Sequence, residues 1–180
     1  MSKDPVVAIV GVTGAVGAEF MATMDKRGFP VRRLKALASA RSAGRTLEFR
    51  GEKTVVEELT ERAFDGVDIA LFSAGSSISR KFAPIAVQAG AVVVDNSSAF
   101  RMDPSVPLVI LEINADRIGA HRGIIANPNC AAITVLMPLW PIHRQNRVRR
   151  VVVSTYQAAS GAGAAAMQEL IDSTRASLNG

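Results

Sequence analysis

The residues best suited to chemistry in this chain are Asn127-Pro128-Asn129-Cys130. Cys130 is the single cysteine of the sequence, so no disulfide forms within the chain. The apolar run Gly123-Ile124-Ile125-Ala126 before it predicts a short buried strand, and residues 131–144 after it predict a helix. A helix N-terminus favours a nucleophilic thiolate, and its N–H groups can hold the oxyanion that forms when a thiolate adds to a carbonyl. The alternative is that Cys130 is a small buried hydrophobic residue.

A second candidate site is the glycine loop Gly11-Val12-Thr13-Gly14-Ala15-Val16-Gly17. It lies between a run predicted as a buried strand, residues 6–10, and a predicted helix, residues 15–27. Glycines allow a tight turn and a close approach of the backbone to a pyrophosphate, whose charge the helix N-terminus stabilises. The spacing is G-x-x-G-x-x-G rather than G-x-G-x-x-G, which predicts a variant of the dinucleotide-binding fold.

The loop after the second predicted strand indicates which dinucleotide binds. A site for NAD places Asp or Glu there, to accept a hydrogen bond from the ribose 2′-hydroxyl. This chain has Ser39-Ala40-Arg41-Ser42-Ala43-Gly44 instead. Because Arg41 and the neighbouring hydroxyls suit a 2′-phosphate, the loop predicts NADP as the cofactor. The alternative is an ordinary polar loop, since Ser, Arg and Gly are common in loops.

Short apolar runs alternate with helix-like segments along the chain, which is typical of a parallel sheet in an α/β fold. We expect a Rossmann-like, mostly parallel sheet with helices on both faces, followed by the beginning of a second α+β domain. Pro138 and Pro141 each predict a kink or an end in the helix after Cys130. The other predicted strands are residues 34–38, 46–49, 54–58, 69–72 and 92–94, and the other predicted helix is residues 79–88.

Composition narrows the classes of function. The chain has 180 residues, 48% of them hydrophobic, and no apolar run long enough to cross a bilayer. A single cysteine fits a reducing compartment, so we expect a cytoplasmic protein with no membrane partner. With one Trp and one Tyr, stacking platforms for bases are missing, and nucleic acid is not an expected partner. The formal net charge of +5 favours small anionic molecules as ligands, and no metal site is expected.

Several motifs together resemble aspartate-semialdehyde dehydrogenase, in the order and at the spacing of that family, across nearly the whole chain. The last two in sequence are highly specific, whereas the glycine loop is shared with many enzymes. The motifs are residues 11–17, the loop 39–44, Ser73-Ala74-Gly75, Asp95-Asn96-Ser97-Ser98-Ala99-Phe100-Arg101, Asn127-Pro128-Asn129-Cys130 and Ser154-Thr155-Tyr156-Gln157-Ala158-Ala159-Ser160-Gly161-Ala162-Gly163.

The resemblance implies an oxidoreductase of lysine (diaminopimelate), threonine and methionine biosynthesis that reduces aspartyl phosphate with NADPH, as a homo-oligomer such as a dimer. It implies that Cys130 is the acyl-thioester nucleophile, that Gln157 positions substrate, that Arg101 binds the phosphate and that Asn129 lies beside the nucleophile. The implied cofactor-binding residues are Gly11, Thr13, Gly14, Ala15, Val16, Ser39, Arg41, Ser42, Ser73, Ala74, Asn96, Ser160 and Gly161.

The resemblance also implies a catalytic histidine and a substrate-binding arginine in a region beyond residue 180. His121 and His143 lie outside any such motif, so we expect an incomplete chain that is inactive alone. Residues 1–129 are predicted to form the NADP-binding domain, and residues 130–180 the start of a catalytic and dimerisation domain. Two alternatives stay open: an NADP-binding module without turnover, and an enzyme like acetylglutamyl-phosphate reductase. In the latter, Tyr and Pro usually follow the cysteine, where this chain has Ala131-Ala132.

Overall fold

The structure, a computed structural model, describes residues 4–179. It divides into two compact units, of which one ends at Val148 and the other begins at Arg149. The strands of the first unit are β1 (Val6–Val10), β2 (Arg33–Ala38), β3 (Thr46–Phe49), β4 (Glu52–Glu58), β5 (Ile69–Phe72), β6 (Val92–Asp95) and β7 (Ile124–Ala126). They form one sheet in the order β3-β4-β2-β1-β5-β6-β7. Only β3 pairs in the antiparallel sense, with β4.

The helices of the first unit are α1 (Ala15–Lys26), α2 (Ser76–Gln88), α3 (Leu111–Asn114) and α4 (Cys130–Gln145). The predicted Rossmann-like, mostly parallel sheet is therefore confirmed. In the second unit the structure describes a 3-10 turn, Ala159–Ala162, and one helix, α5 (Ala164–Asn179). Among the helices of the described residues, none is both long and apolar enough to cross a membrane.

Strand β1 lies at the centre of the parallel part of the sheet, between β2 and β5. All five of its residues are buried, because helices cover both faces of the sheet. Side chains alternate between the faces, so Ala8 packs on the side of α2 with Phe82, whereas Ile9 packs on the side of α1 with Met24. The apolar run that identified β1 thus reflects burial on two sides, as predicted.

Parallel pairing fixes the position of the candidate site. Val10 pairs with Leu37 of β2 and with Phe72 of β5, so these three strands end at one edge of the sheet. The same register continues outward, where Phe72 pairs with Asp95 of β6 and Asp95 with Ala126 of β7. Loops that follow the carboxyl ends of five strands therefore meet along one line.

Helix α4 contains both of the prolines that predicted a kink or an end. It spans 16 residues and continues through Pro138 and Pro141 without ending at either. Each proline lacks an N–H, so an intrahelical hydrogen bond is missing one turn before it. None of the residues of α4 is fully buried, and Leu136, Met137 and Ile142 are exposed. The apolar sequence of this helix therefore does not reflect burial within the described residues.

The turn between β1 and α1 depends on two glycines. Gly11 has φ +87°, and a Cβ on it would lie 2.6 Å from the carbonyl oxygen of Ser73 at the end of β5. The N–H of Gly11 donates to the carbonyl of Leu37 at 2.9 Å, which ties the turn to β2. A Cβ on Gly17 would overlap the Gly11 carbonyl. Close backbone packing around this turn therefore requires glycine at both positions.

We predict that Gly11→Ala lowers the free energy of unfolding more than Gly44→Ala. Gly44 has a similar φ, +82°, but nothing lies within 4 Å of a Cβ there. Gly44→Ala should therefore cost only the strain of positive φ, about 1–2 kcal/mol. Gly11→Ala should cost about 2 kcal/mol more, the size of an overpacking penalty. Urea unfolding of both variants measures the difference, and equal losses would contradict a contact between Gly11 and Ser73.

Candidate active site

A cleft of about 480 Å³ opens at the carboxyl ends of β1, β2, β4 and β5. Backbone and hydroxyl groups line one part of it, and apolar side chains line another. Its size and its mixture of apolar and polar lining are typical of a site for a small molecule. The lining residues are Val10, Gly11, Thr13, Gly14, Ala38, Ser39, Ala40, Glu58, Leu59, Ser73, Ala74, Ile78 and Phe82.

The predicted cofactor residues of the β1 and β2 loops and of the end of β5 differ in their relation to this cleft. The structure brings Gly11, Thr13, Gly14, Ser39, Ser73 and Ala74 together in the lining of this cleft. Ala15 and Val16 begin α1 just beyond the loop and are exposed. Arg41 lies in a 3-10 turn directly after the lining residue Ala40 and is also exposed. Ser42, in contrast, is only 8% exposed, and its N–H donates to the Ser39 carbonyl at 2.8 Å, so it belongs to the turn.

Cys130 is exposed and is the first residue of α4. The helix starts there because the Asn129 side chain caps it, its Oδ1 accepting from the N–H of Ala131 at 3.0 Å. The Ala131 N–H is one of the donors that were predicted to stabilise an oxyanion, and this capping bond occupies it. Within the described residues, Cys130 is therefore not a buried hydrophobic residue, because its side chain is at the surface.

Arg101 ties the ends of β6 and β7 together. Its Nε donates to the carbonyl of Asn127 at 2.9 Å, and one Nη donates to the carbonyl of Asn96 at 3.0 Å. The two asparagine side chains are joined as well, with Asn127 Nδ2 donating to Asn96 Oδ1 at 2.6 Å. A guanidinium carries five N–H donors, so further donors remain for an anionic ligand. We call Asn96, Arg101 and Asn127 the strand-end junction; it fixes the segment that leads to Cys130.

Asp95 holds the loop that follows β6 in place. Its side chain is fully buried, and Oδ1 accepts from the Ser79 hydroxyl at 2.7 Å and from the Ser97 N–H at 3.1 Å. Oδ2 accepts from the Ser97 hydroxyl at 2.7 Å. No cation forms an ion pair with Asp95 within residues 4–179. These hydrogen bonds satisfy the buried carboxylate and connect α2 to the loop that carries the strand-end junction.

An exposed copy of this arrangement follows a few residues later. Oδ1 of Asp103 accepts from the hydroxyl of Ser105 at 2.7 Å and from its N–H at 2.8 Å. The hydrogen bond from the Ser105 side chain, and then that from its backbone, lower the pKa of Asp103 below its ordinary value. Because the folded pKa is depressed, this contribution to stability is present above the ordinary pKa and fades as the pH falls through the folded value.

Three further predicted residues, Gln157, Ser160 and Gly161, lie in the second unit, and all are exposed. A Cβ built on Gly161 would lie 3.7 Å from Nε2 of Gln157, so these two residues are neighbours. The sequence motif that contains them thus forms a compact local turn, Ala159–Ala162, ahead of α5.

Sequence reasoning missed several residues of this edge. Glu58, Leu59, Ile78 and Phe82 line the cleft but lie in no recognised motif. The position of Glu58 at the end of a predicted strand was a usable signal, because ligands bind outside the carboxyl ends of parallel strands. Nothing in the sequence showed that the carboxylate of Asp95 would be buried. Among the described residues, no cluster of His, Cys, Asp or Glu is arranged to hold a metal ion.

The family is settled by the match of residues 6–121 to the model described as "Semialdehyde dehydrogenase, NAD binding domain". The chain belongs to the semialdehyde dehydrogenase family. Residues 139–180 also match the model described as "Semialdehyde dehydrogenase, dimerisation domain". Both matches fall in the order that the family has, and the predicted resemblance is confirmed.

Individual family members are similar over nearly the whole chain. An aspartate-semialdehyde dehydrogenase of Synechocystis sp. is 52% identical over 174 residues, which cover 97% of this chain and 52% of that protein. One of Bacillus subtilis is 50% identical over 99% of this chain and 52% of its own length. The crystal structure of aspartate semialdehyde dehydrogenase II complexed with ASA from Vibrio cholerae has a TM-score of 0.93 at 46% identity, covering 99% of this chain and 54% of its own. The chain thus spans about half the length of these relatives.

We expect Asp95→Ala to lower the free energy of unfolding by about 3 kcal/mol, since it leaves the buried Ser79 and Ser97 hydroxyls without their charged acceptor. Thermal and urea unfolding measure the loss. Asp103→Ala is the control, because Asp103 accepts from the hydroxyl and the N–H of Ser105 at the surface, as Asp95 does from Ser97 in the interior. Asp103→Ala should lower the free energy of unfolding only slightly. Equal losses in the two variants would show that the burial of Asp95 does not increase its contribution to stability.

Proposed function

We propose that this chain is part of an NADP-dependent aspartate-semialdehyde dehydrogenase, which converts aspartyl phosphate to the semialdehyde through a thioester on Cys130. The observation that carries the proposal is the position of Cys130. It is an exposed thiol at the first residue of α4, and it follows β7 at the same sheet edge as the glycine-lined cleft. Two strand spacings, roughly 10 Å, separate β5 at the cleft from β7.

The names of the relatives support the same reaction. The Synechocystis and Bacillus proteins are both described as aspartate-semialdehyde dehydrogenase, and the Vibrio cholerae protein was solved complexed with ASA. Because this chain spans about half of their length, their activity, substrate and assembly enter here as proposals. We propose that the biosynthesis of lysine, threonine and methionine uses the product, and that the protein works as a homodimer.

The first chemical step is acyl transfer to Cys130. The thiolate attacks the acyl carbon of aspartyl phosphate, the bond from that carbon to the phosphate oxygen breaks, and inorganic phosphate leaves with the bonding pair. In this proposal Arg101 binds the phosphate with donors that the strand-end junction does not use, and Asn129 contacts the substrate beside Cys130.

The glycine-lined cleft fits a nicotinamide dinucleotide. Gly11, Thr13 and Gly14 line the cleft just before the N-terminus of α1, where the two glycines place no side chain in the way of an approaching pyrophosphate. When bound there, NADPH would supply the hydride for reduction of the thioester on Cys130. We assign Ser39, Arg41 and Ser42 to the 2′-phosphate end, Ser73, Ala74 and Asn96 to the middle, and Ser160 and Gly161 to the nicotinamide end. Gln157 is proposed to position the substrate.

No histidine in the described residues is arranged to assist Cys130. His121 precedes β7, at the opposite end of that strand from Cys130, and its Nδ1 accepts from the Gly123 N–H at 3.0 Å. His143 stacks on Trp140, and 13 residues of helix place it roughly 20 Å from Cys130. We therefore propose that residues 1–180 alone bind cofactor but lack proton transfer for full turnover.

The first prediction of this proposal concerns Arg41. The unmutated chain should bind NADP more tightly than NAD, and Arg41→Ala should weaken NADP binding by about 1.5–3 kcal/mol, the value of a charged hydrogen bond. Affinity for NAD should stay unchanged, because NAD has no 2′-phosphate. Calorimetric titration measures both. Arg32→Ala, at the opposite end of β2, is the control for loss of charge, and equal affinity of the unmutated chain for the two cofactors would overturn the assignment.

The second prediction is that the 180-residue chain turns over aspartate semialdehyde at least about 10²-fold more slowly than a full-length family member, the typical loss when general acid–base catalysis is absent. The assay follows NADPH formation from NADP, phosphate and the aldehyde. Cys130→Ser serves as the control for chemistry at the thiol. Turnover that depends on Cys130 and approaches that of a full-length relative would show that a residue within this chain transfers the proton.

A further inference from the structure

The cofactor cleft contains one acidic side chain that no proposed role uses. Glu58 is the last residue of β4, and it is the single ionisable residue among the described residues that line the cleft. It pairs in register with Ala38 at the end of β2, and the next N–H, that of Leu59, donates to the Ala38 carbonyl at 2.8 Å. The backbone that carries Glu58 is therefore held firmly beside the loop that follows β2.

The carboxylate of Glu58 has no competing partner. It is exposed, and it makes no hydrogen bond or ion pair within residues 4–179. Its neighbour Glu57 points to the opposite face of the strand and approaches Arg33 at 3.9 Å. The two adjacent glutamates thus differ: Glu58 belongs to the residues that line the cleft, whereas Glu57 approaches an arginine that does not.

The apolar part of the cleft lining suits a flat base. It consists of Leu59 and Ile78, which are partly exposed, and of Phe82, which is largely buried. A purine ring can pack on such side chains, whereas its polar edge needs hydrogen-bond partners. The exocyclic amine of adenine offers N–H donors, and a carboxylate only accepts. A purine with a carbonyl at the same position would instead place an acceptor against an acceptor.

Ribose recognition is a less suitable role for Glu58. A carboxylate that binds the adenosine ribose hydroxyls follows the second strand of the fold, where this chain has Ser39. Glu58 lies one strand farther from the centre of the sheet, about 4.8 Å beyond. The geometry favours the base over the sugar.

We propose that Glu58 selects adenine in the cofactor by accepting a hydrogen bond from its exocyclic amine. This inference rests on the proposed NADP site. It makes Glu58 a specificity-determining residue that contacts the end of the cofactor remote from the chemistry. Removal of its charge should therefore change which base is bound.

The test compares NADP with nicotinamide hypoxanthine dinucleotide phosphate, which carries a carbonyl in place of the amine. The unmutated 180-residue chain should bind NADP at least about tenfold more tightly, the value of a charge-assisted hydrogen bond. In Glu58→Gln, the amide can accept from the amine or donate to the carbonyl, so the ratio of the two affinities should fall to about threefold or less. Calorimetric titration measures each affinity, with circular dichroism to confirm the fold.

Glu57→Gln is the matched control, since it removes the same charge from the adjacent residue on the opposite face. It should keep the tenfold ratio. Binding of NADP without preference for adenine in the unmutated chain, or an unchanged ratio in Glu58→Gln, would overturn the role of Glu58 and leave the proposed NADP site intact. Failure of the unmutated chain to bind either dinucleotide would overturn both. A larger change in the NADP-to-NAD ratio than in the base ratio would assign Glu58 to the ribose and contradict the proposal.

Discussion

The close approach of the Gly11 backbone to the end of β5 is the constraint on which the candidate site depends. Gly11 binds the Leu37 carbonyl of β2 on one side and leaves no room for a side chain against Ser73 on the other. Three strand ends are thereby held at the spacing of the sheet itself. Backbone, and not side chains, therefore fills the space between Gly11 and Ser73.

Farther along the same edge, side chains replace backbone as the connecting element. The Asn96 N–H donates to the Phe72 carbonyl, and Arg101 then spans from Asn96 to Asn127. Asp95, buried beneath, fixes the loop from which Arg101 projects. The proposed cofactor site and the Cys130 thiol lie at opposite ends of this sheet edge. The hydrogen bonds that stabilise the fold therefore also set the distance between the two sites.

Much of the fold followed from the sequence, because burial on both faces gives β1 and its neighbours continuous apolar runs. Glycine spacing likewise located the cleft, since Gly11 and Gly17 meet steric demands that other residues cannot. Interactions between segments far apart in sequence were not predictable in this way. The link from Ser79 to Asp95 and the approach of Arg101 to Asn127 depend on strand order and register. Apolar content was also a poor guide to burial in α4, where Leu136 and Ile142 are exposed.

The two outer strands of the sheet limit pairing with strands of other molecules. A free strand edge presents unpaired backbone groups that recruit strands of other molecules. At one border, β3 has only four residues, and Thr46 and Glu48 are exposed along it. At the other, β7 has three residues, and Ala126 is already engaged by the backbone of Pro107 and Val109. Short length, a charge and a covering segment therefore discourage the growth of this sheet into intermolecular fibres.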